Sequence, residues 1–278
     1  MKKNRNNLSA EIENERKFII SKRKDFYLTE AYKSLRTNVL FSLTGDGEGK
    51  MLMITSSEQG EGKSITAVNL AISFAQDEKK VLLIDCDLRR PKIARLLELS
   101  AECGLSNILM KPELRKDAIL RGPEKNLDVL TAGDIPPNPS ELLGSKRMEA
   151  LLKDLCDQYD YILLDTPPIN LVTDGMVLST RVDGTLFVVR AGKAERGAVL
   201  RAMDMLGRAN AKVLGFVFNG AEQTDSRYGG KKYRYGKYGK YGKYSNYDKY
   251  NYGYGYDTGY GFSSGHGGSQ KEVTKQDK

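Results

Sequence analysis

A glycine-containing segment between an apolar run and a helical pattern has the residue types that bind a phosphate chain. It reads Ser-Ser-Glu-Gln-Gly-Glu-Gly-Lys-Ser over residues 56–64 and follows the apolar run at 51–55. Phosphate binding requires backbone N–H groups that no side chain covers, together with a cation and a hydroxyl group that can reach Mg²⁺. The segment therefore predicts a P-loop for ATP and Mg²⁺, with contacts from Gly60, Glu61, Gly62, Lys63, Ser64 and Ile65.

This segment departs from the usual P-loop pattern at one position. The pattern begins with a glycine five residues before its second glycine, and here that position is Ser57. A Gly-x-Gly turn at the start of a helix also arises by chance, but rarely with Lys-Ser directly behind it. Because the Gly-Lys-Ser core and the strand-to-helix setting are both intact, the phosphate-binding interpretation is kept.

Three aspartates lie at the ends of two other apolar runs. Asp85 and Asp87 follow the run that begins at residue 81, and Asp165 ends the run at 161–165. A carboxylate at the end of a buried strand is costly unless it is paired or close to a metal ion. Taken singly, each aspartate could equally be a helix N-cap. Taken together with the P-loop lysine and serine, they indicate Mg²⁺ coordination and one general base.

Short apolar runs with helical patterns between most of them are the elements that must position these residues. Such continuous runs are typical of strands buried on both faces of a parallel sheet. Their alternation with helices predicts βαβ units. The predicted fold class is α/β, a three-layer P-loop NTPase fold with a mostly parallel sheet. The runs lie at 51–55, 81–85, 127–132, 161–165, 185–189 and 213–218.

The chain divides into three predicted regions. Residues 1–45 are charged and contain one helical stretch at about 27–43; residues 46–222 form the ATP-binding domain. Residues 223–278 are rich in Gly, Tyr and Lys, and this composition cannot build a core, so we expect a disordered tail. The tail has eleven Lys and Arg against five Asp and Glu, which is +6 of the chain's net +8.

Composition excludes several other classes of protein. The three cysteines are scattered and do not predict a disulfide framework or a zinc site. No apolar run approaches the roughly 18 residues needed to span a bilayer, and residues 1–17 do not have the apolar stretch of a secretory signal. The sequence predicts a cytoplasmic protein. Because the body is close to neutral, a basic nucleic-acid-binding core is not expected.

The motifs together resemble one family. The phosphate loop, the Asp-x-Asp-Leu-Arg-Arg-Pro segment at 85–91, the Leu-Leu-Asp-Thr-Pro-Pro segment at 163–168 and residues 131–143 resemble the bacterial tyrosine kinases (BY-kinases) of capsular and exopolysaccharide synthesis. The resemblance extends from about Tyr27 to the end of the chain. It implies an ATP-dependent protein-tyrosine kinase that regulates polysaccharide synthesis and export.

The resemblance also implies roles for individual residues. The catalytic set would be Lys63, Asp85, Asp87 and Asp165, with the metal held by Ser64, Asp85 and Asp165. Asp87 is the favoured base. Asn219 follows the last apolar run, where related ATPases contact adenine.

Family resemblance gives the tail and the N-terminal helix their predicted functions. The tail would be autophosphorylated, between subunits, at Tyr228, Tyr233, Tyr235, Tyr238, Tyr241, Tyr244, Tyr247, Tyr250, Tyr252, Tyr254, Tyr256 and Tyr260. Glu30, Lys33 and Arg36 resemble a Glu-x-x-Arg-x-x-Arg segment that packs subunits into a ring, with lysine replacing the first arginine. The implied partners are a separate membrane-embedded activator, which recruits the protein to the inner face of the membrane, and protein-tyrosine substrates. No nucleic acid is expected.

Two alternatives remain open from the sequence. One is an ATPase switch of the division-site or plasmid-partitioning type without kinase activity. Those ATPases have a signature lysine where this chain has Glu58, which counts against them. The other is a module that binds nucleic acid or membrane through its tail. A eukaryotic-type kinase is excluded because its catalytic loop requires a histidine, and the chain's one histidine is His266 in the tail.

Overall fold

A seven-stranded sheet forms the centre of the protein in the computed structural model, which describes residues 12–22, 25–43 and 49–221. The strand order is β3-β4-β2-β5-β1-β6-β7, and every neighbouring pair is parallel except β3 with β4. The strands are β1 (Lys50–Ser56), β2 (Val81–Asp85), β3 (Ile119–Arg121), β4 (Leu127–Leu130), β5 (Tyr161–Asp165), β6 (Gly184–Arg190) and β7 (Val213–Asn219).

Helices cover both faces of this sheet. They are α1 (Phe26–Ser42), α2 (Lys63–Ala75), α3 (Ile93–Leu97), α4 (Leu105–Met110), α5 (Arg115–Ala118), α6 (Pro139–Gly144), α7 (Lys146–Cys156), α8 (Asp174–Ser179) and α9 (Arg196–Arg208). A 3₁₀ turn at Pro112–Leu114 and a helical turn at 12–16 complete the described elements. In the part of the chain described, no helix combines the length and apolar character needed to cross a membrane.

Two hydrophobic clusters fill the space between the sheet and its helices. Successive residues of β1 alternate between them, so Leu52 and Ile54 pack with α2 on one face while Met53 packs with α7 and α9 on the other. This is the side-chain alternation expected of a strand covered on both faces. The three-layer α/β architecture with a mostly parallel sheet is therefore confirmed.

Most of the predicted strands are present with small changes at their ends. β2 and β5 have the predicted bounds, and all five residues of β2 are buried. The fourth strand stops at Leu130 rather than at residue 132. β3 was missed, because two half-buried residues and an exposed arginine, paired antiparallel at a sheet edge, leave no apolar run.

The N-terminal segment at 12–22 packs on the same core as α1 and α2. Asn69, fully buried in α2, binds its backbone twice: Oδ1 accepts from the Ile20 N–H at 3.0 Å, and Nδ2 donates to the Phe18 carbonyl at 2.8 Å. Ile19 beside them is fully buried. A single amide side chain thus attaches this segment to the helix that begins at the phosphate loop.

Asn69→Ala should release the segment at 12–22. The change leaves a buried donor, the Ile20 N–H, and a partly buried acceptor, the Phe18 carbonyl, without their partner, which costs about 1–3 kcal/mol each where water cannot replace it. We expect a lower denaturation midpoint and faster amide exchange at 12–22. Asn38→Ala, at an exposed position of α1, is the matched control. Equal exchange in the two variants would show that Asn69 does not attach the segment.

Candidate functional site

The phosphate loop connects β1 to α2 at the carboxyl end of the sheet. Two of its residues have positive φ angles, Gly60 at 74° and Gly62 at 94°. A Cβ atom at Gly62 would collide with the side-chain amide of Asn219, so only glycine fits there. The same side-chain amide supports the loop, because Asn219 Nδ2 donates to the Glu61 carbonyl at 2.9 Å.

A buried carboxylate supports the loop from inside. The Glu61 side chain is fully buried and accepts hydrogen bonds from Ser57 Oγ, at 2.9 and 3.1 Å, and from the Glu58 N–H at 2.8 Å. Ser57 occupies the position where the usual pattern has glycine. Its hydroxyl therefore fixes the carboxylate that shapes the loop, which accounts for the departure from the pattern.

Lys63, the first residue of α2, points at two aspartates. Its Nζ lies 3.1 Å from Asp87 Oδ2 and 4.0 Å from Asp165 Oδ1, and the residue is only 8% exposed. Burial lowers the pKa of Lys63, but the carboxylates of Asp165 and Asp87 outweigh it, and the pKa is raised overall. The lysine is therefore held as a cation inside the site.

The aspartates on β2 and β5 are direct neighbours but have different hydrogen-bond partners. Asp85 and Asp165 are paired in the sheet register, and both are fully buried. Asp85 Oδ1 accepts from the Asp87 N–H at 3.2 Å, and its Oδ2 accepts from the N–H groups of Lys92 and Ile93 at 3.1 and 3.0 Å. Asp165 has no hydrogen-bond partner on either oxygen in the described structure.

Both of these carboxyl groups are harder to ionise than a free aspartic acid. Burial, followed by the charge of Asp165, raises the pKa of Asp85 to about 8. Burial also raises the pKa of Asp165 to about 6, although Lys63 opposes the shift. Two carboxylates side by side in a dry site repel each other, and a bound cation would relieve this.

The residues present fit a magnesium ion that is completed by substrate phosphates. Mg²⁺ usually takes one or two protein carboxylates and fills its other positions with waters and phosphate oxygens. Asp165 provides a buried carboxylate that accepts no hydrogen bond and lies 4.0 Å from Lys63 Nζ, and Ser64 is buried in the first turn of α2. Asp85, the other predicted carboxylate ligand, accepts three backbone N–H groups and has fewer free lone pairs than Asp165. Over residues 12–22, 25–43 and 49–221, no group of three or more Asp, Glu, His or Cys is arranged to hold a metal alone.

A cavity of about 640 Å³ opens above the phosphate loop. This volume lies within the ~300–1,000 Å³ of typical small-ligand sites. Its floor includes Gly60, Gly62, Lys63, Ser64 and Asp87. Its walls combine polar and mostly basic residues with an apolar surface and include Glu15, Gln59, Arg89, Arg90, Lys92, Arg95, Ile135, Pro168, Leu171 and Val172. The cavity thus places a phosphate-binding floor below walls that suit a charged ligand and an aromatic ring.

Comparison with known proteins identifies the family. A family model described as an AAA domain matches residues 49–189. The tyrosine-protein kinase YwqD of Bacillus subtilis is 43% identical over 211 residues, which cover 76% of this chain and 86% of YwqD. The chain belongs to this family of bacterial tyrosine-protein kinases.

Solved structures agree with this assignment. The kinase domain of the Escherichia coli tyrosine kinase ETK superposes on this kinase with a TM-score of 0.70 and 35% identity, covering 77% of the chain and 84% of that domain. The cell division ATPase MinD of Pyrococcus furiosus superposes with a TM-score of 0.55 and 25% identity, covering 64% and 74%. The similarity to kinases is the stronger, so the kinase interpretation is favoured over the division-site ATPase.

The predicted oligomerisation residues lie on α1, away from the cavity. Lys33 Nζ pairs with Glu30 Oε1 within the helix at 2.8 Å. Arg36 turns toward α2, where it donates to the Ser73 carbonyl and pairs with Asp77 at 3.3 Å. Within this chain, Arg36 therefore helps to attach α1 to α2.

The twelve predicted phosphorylation sites lie outside the described residues.

Sequence reasoning did not single out a salt bridge at the rim of the cavity. Arg89 donates from Nε and Nη2 to the two oxygens of Asp174, at 2.9 and 3.1 Å, and Asp174 is fully buried. Ser140 Oγ donates to the same carboxylate. The arginine thus connects the loop after β2 to α6 and α8. Its position two residues after the Asp-x-Asp segment was the available signal.

Proposed function

We propose that this kinase transfers the γ-phosphoryl group of Mg·ATP to tyrosines of its own C-terminal tail, in transfers between subunits. The observation that carries the proposal is the contact between Lys63 and Asp87 on the cavity floor. It puts a phosphate-binding cation and a proton acceptor 3.1 Å apart where a nucleotide and a phenol could meet.

In this mechanism the loop N–H groups and Lys63 bind the phosphates and stabilise the charge that develops during in-line transfer. Ser64 and Asp165 would hold the magnesium ion, which neutralises phosphate charge when bound. Asn219 supports the loop through Glu61 and lies on the side where adenine would bind. Asp85 holds the turn that contains Asp87 through its three backbone hydrogen bonds.

Several contacts support Asp87 as the base. It lines the cavity, whereas Asp85 and Asp165 are fully buried beneath it. Its Oδ1 accepts from the Arg90 N–H at 3.0 Å, and its Oδ2 faces Lys63. Movement of Lys63 onto a phosphate oxygen would free Oδ2 to accept the phenolic proton.

The cellular role that we propose follows the family resemblance. The kinase would act in the cytoplasm at the inner face of the membrane, where a separate membrane-embedded activator recruits it. It would form a ring-like oligomer, with Glu30, Lys33 and Arg36 at or near the contact, and would regulate capsular or exopolysaccharide synthesis and export. Other protein tyrosines would be further substrates. The domain division at 45/46 and 222/223 is part of this proposal.

Purified full-length chain incubated with Mg·ATP should acquire phosphate on its tail tyrosines, detected by mass spectrometry. Omission of Mg²⁺ is the control and should leave the tail unmodified. An ATPase switch would instead release inorganic phosphate while the tyrosines stay unchanged. That result would exclude autophosphorylation.

A second arm of this experiment separates transfer between subunits from transfer within one. A full-length Lys63→Met chain provides an intact tail, and an active chain ending at Gln223 provides the kinase. We expect the mixture to phosphorylate the Lys63→Met tail. If that tail stays unmodified while the full-length wild type labels itself, transfer occurs within one subunit.

A further inference from the structure

Arg90 lies across the mouth of the cavity. Its backbone N–H donates to Asp87 Oδ1 at 3.0 Å, which fixes the residue beside the proposed base. Its side chain extends to the phosphate loop, where Nη1 donates to Gln59 Oε1 at 2.7 Å. Both Arg90 and Gln59 are exposed and line the cavity. The guanidinium group therefore connects the loop after β2 to the phosphate loop.

The other basic residues of the cavity differ from Arg90 in their partners. Lys63 faces Asp87, Arg89 is bound by both oxygens of Asp174, and Lys92 pairs with Glu15 at 3.2 Å. These cations are already balanced by carboxylates.

Arg90 has no such partner. Its side chain contacts the neutral amide of Gln59, and no carboxylate pairs with it in the described part of the chain. Arg95 also has no carboxylate partner there, but its guanidinium turns back to the Pro91 carbonyl in its own segment. Among the described residues, Arg90 is thus the cavity arginine that contacts the phosphate loop with its charge unneutralised.

We propose that Arg90 is a catalytic residue that contacts the transferring phosphoryl group, in the same chain that provides the phosphate loop. The inference rests on the proposed function. As the phenolic oxygen bonds to the γ-phosphorus, the bond from that phosphorus to the β–γ bridging oxygen breaks, and ADP keeps the electron pair. Asp87 receives the phenolic proton. Arg90 leaves Gln59 and donates N–H groups to oxygens of the transferring group, and it stays protonated throughout.

The chemistry of the residue suits this exchange of partners. A guanidinium group is always charged and presents several N–H donors in one plane, which matches phosphate oxygens. In an arginine–phosphate pair both partners are ionised and two parallel hydrogen bonds often form, whereas Gln59 offers Arg90 one bond to a neutral amide oxygen. The Gln59 contact therefore holds Arg90 over the loop in the empty site without competing strongly with the ligand.

The test compares Arg90→Gln and Arg90→Lys with the control Arg201→Gln, at an exposed position of α9 that does not line the cavity. An arginine that stabilises the transition state of phosphoryl transfer contributes about 10³–10⁵-fold to kcat. We expect Arg90→Gln to lower kcat by at least about 10³-fold, with the KM for ATP changed little. Arg90→Lys should recover part of the loss, and Arg201→Gln should resemble the wild type.

Binding measurements distinguish a catalytic role of Arg90 from a purely structural one. Arg90→Gln should bind Mg·ADP like the wild type but lose affinity for Mg·ADP with aluminium fluoride, which mimics the transferring group. An unchanged kcat would overturn the proposal, as would equal losses of affinity for both ligands. If Arg90→Gln fails to fold, Arg90→Lys decides by the same comparison of the two ligands.

The binding comparison does not depend on a tyrosine acceptor. If the wild type forms no phosphotyrosine, the proposed function fails, while the difference between the two ligands still reports on Arg90 at the phosphate site. If phosphotyrosine forms normally in Arg90→Gln, only the assignment of Arg90 fails.

Discussion

Lys63→Met is expected to lower autophosphorylation by at least about 10²–10³-fold, the usual effect of removing one group that stabilises transition-state charge. The lysine is the first residue of α2, at the floor of the cavity, where the helix dipole also favours anions. Phosphotyrosine formation per unit time with saturating Mg·ATP is the measurement. Lys80→Met, at an exposed position before β2, is the matched control. Retained autophosphorylation would contradict the role of Lys63.

The same substitution should also affect stability, because Lys63 is buried. Its loss leaves Asp87 and Asp165 without their cation, and breaking a buried ion pair by removing one partner costs about 3–5 kcal/mol. Addition of Asp87→Asn to Lys63→Met should restore part of the free energy of unfolding and none of the activity. A double variant that is more stable than Lys63→Met but still inactive would separate the chemical role of the lysine from its structural role.

The stability deficit of Lys63→Met should depend on pH with a definite sign. Burial raises the pKa of Asp165 to about 6, and removal of the lysine raises it further. An acid whose pKa is raised in the folded state destabilises that state increasingly as the pH rises above its unfolded pKa, and fully at pH values above the shifted pKa. The difference in denaturation midpoint between variant and wild type should therefore shrink as the pH falls from about 8 toward about 5.

The strands were the most predictable part of this fold. The runs at 81–85 and 161–165 are buried on both faces, so an unbroken apolar run identifies both ends of β2 and β5. β3 could not be found this way, because it is held by its pairing with β4 rather than by its own composition. The segment at 12–22 was also missed as part of the core, since its attachment depends on Asn69, far away in sequence.

Residue types identified the phosphate loop, but only the structure gives the partners of each side chain. Gly60, Gly62 and Lys63 could be assigned because phosphate binding requires those types at that spacing. The inward turn of the Glu61 carboxylate and the pairing of Lys63 with Asp87 depend on tertiary contacts that no local pattern encodes. Arg36 is a second example. Its motif predicted a contact between subunits, and within this chain its side chain donates to the Ser73 carbonyl of α2.

Asp165→Asn should move stability and activity in opposite directions. The Asp165 carboxylate is fully buried, accepts no hydrogen bond in the described structure and has a pKa raised to about 6 by burial. An unfolded aspartic acid titrates near 3.9, so at pH values above about 6 the folded state bears the cost of ionising this group. An amide has no charge to bury. The variant should therefore be more stable than the wild type near pH 8, by on the order of 1–3 kcal/mol, and the gain should vanish toward pH 4.

The loss of activity in Asp165→Asn comes from the magnesium ion. An asparagine oxygen is a weaker ligand than a carboxylate, so Mg²⁺ should no longer tighten ADP binding, and autophosphorylation should fall by about 10²-fold or more. Thermal denaturation of the nucleotide-free protein at the two pH values and ADP titrations with Mg²⁺ or with a chelator are the measurements.

Asp85→Asn is the matched control for this prediction. It removes a neighbouring carboxylate whose pKa is also raised, but Asp85 accepts three backbone N–H groups. An asparagine must direct its NH₂ group toward some of those donors, so this variant should lose stability at every pH. The informative result is a gain of stability in Asp165→Asn together with a loss of stability in Asp85→Asn. It would mean that the Asp165 charge serves a ligand and destabilises the empty protein. Asp85 would then have the structural role of holding the turn. Equal losses in both variants would show that Asp165 stabilises the empty fold, and the magnesium assignment would then have no support from stability.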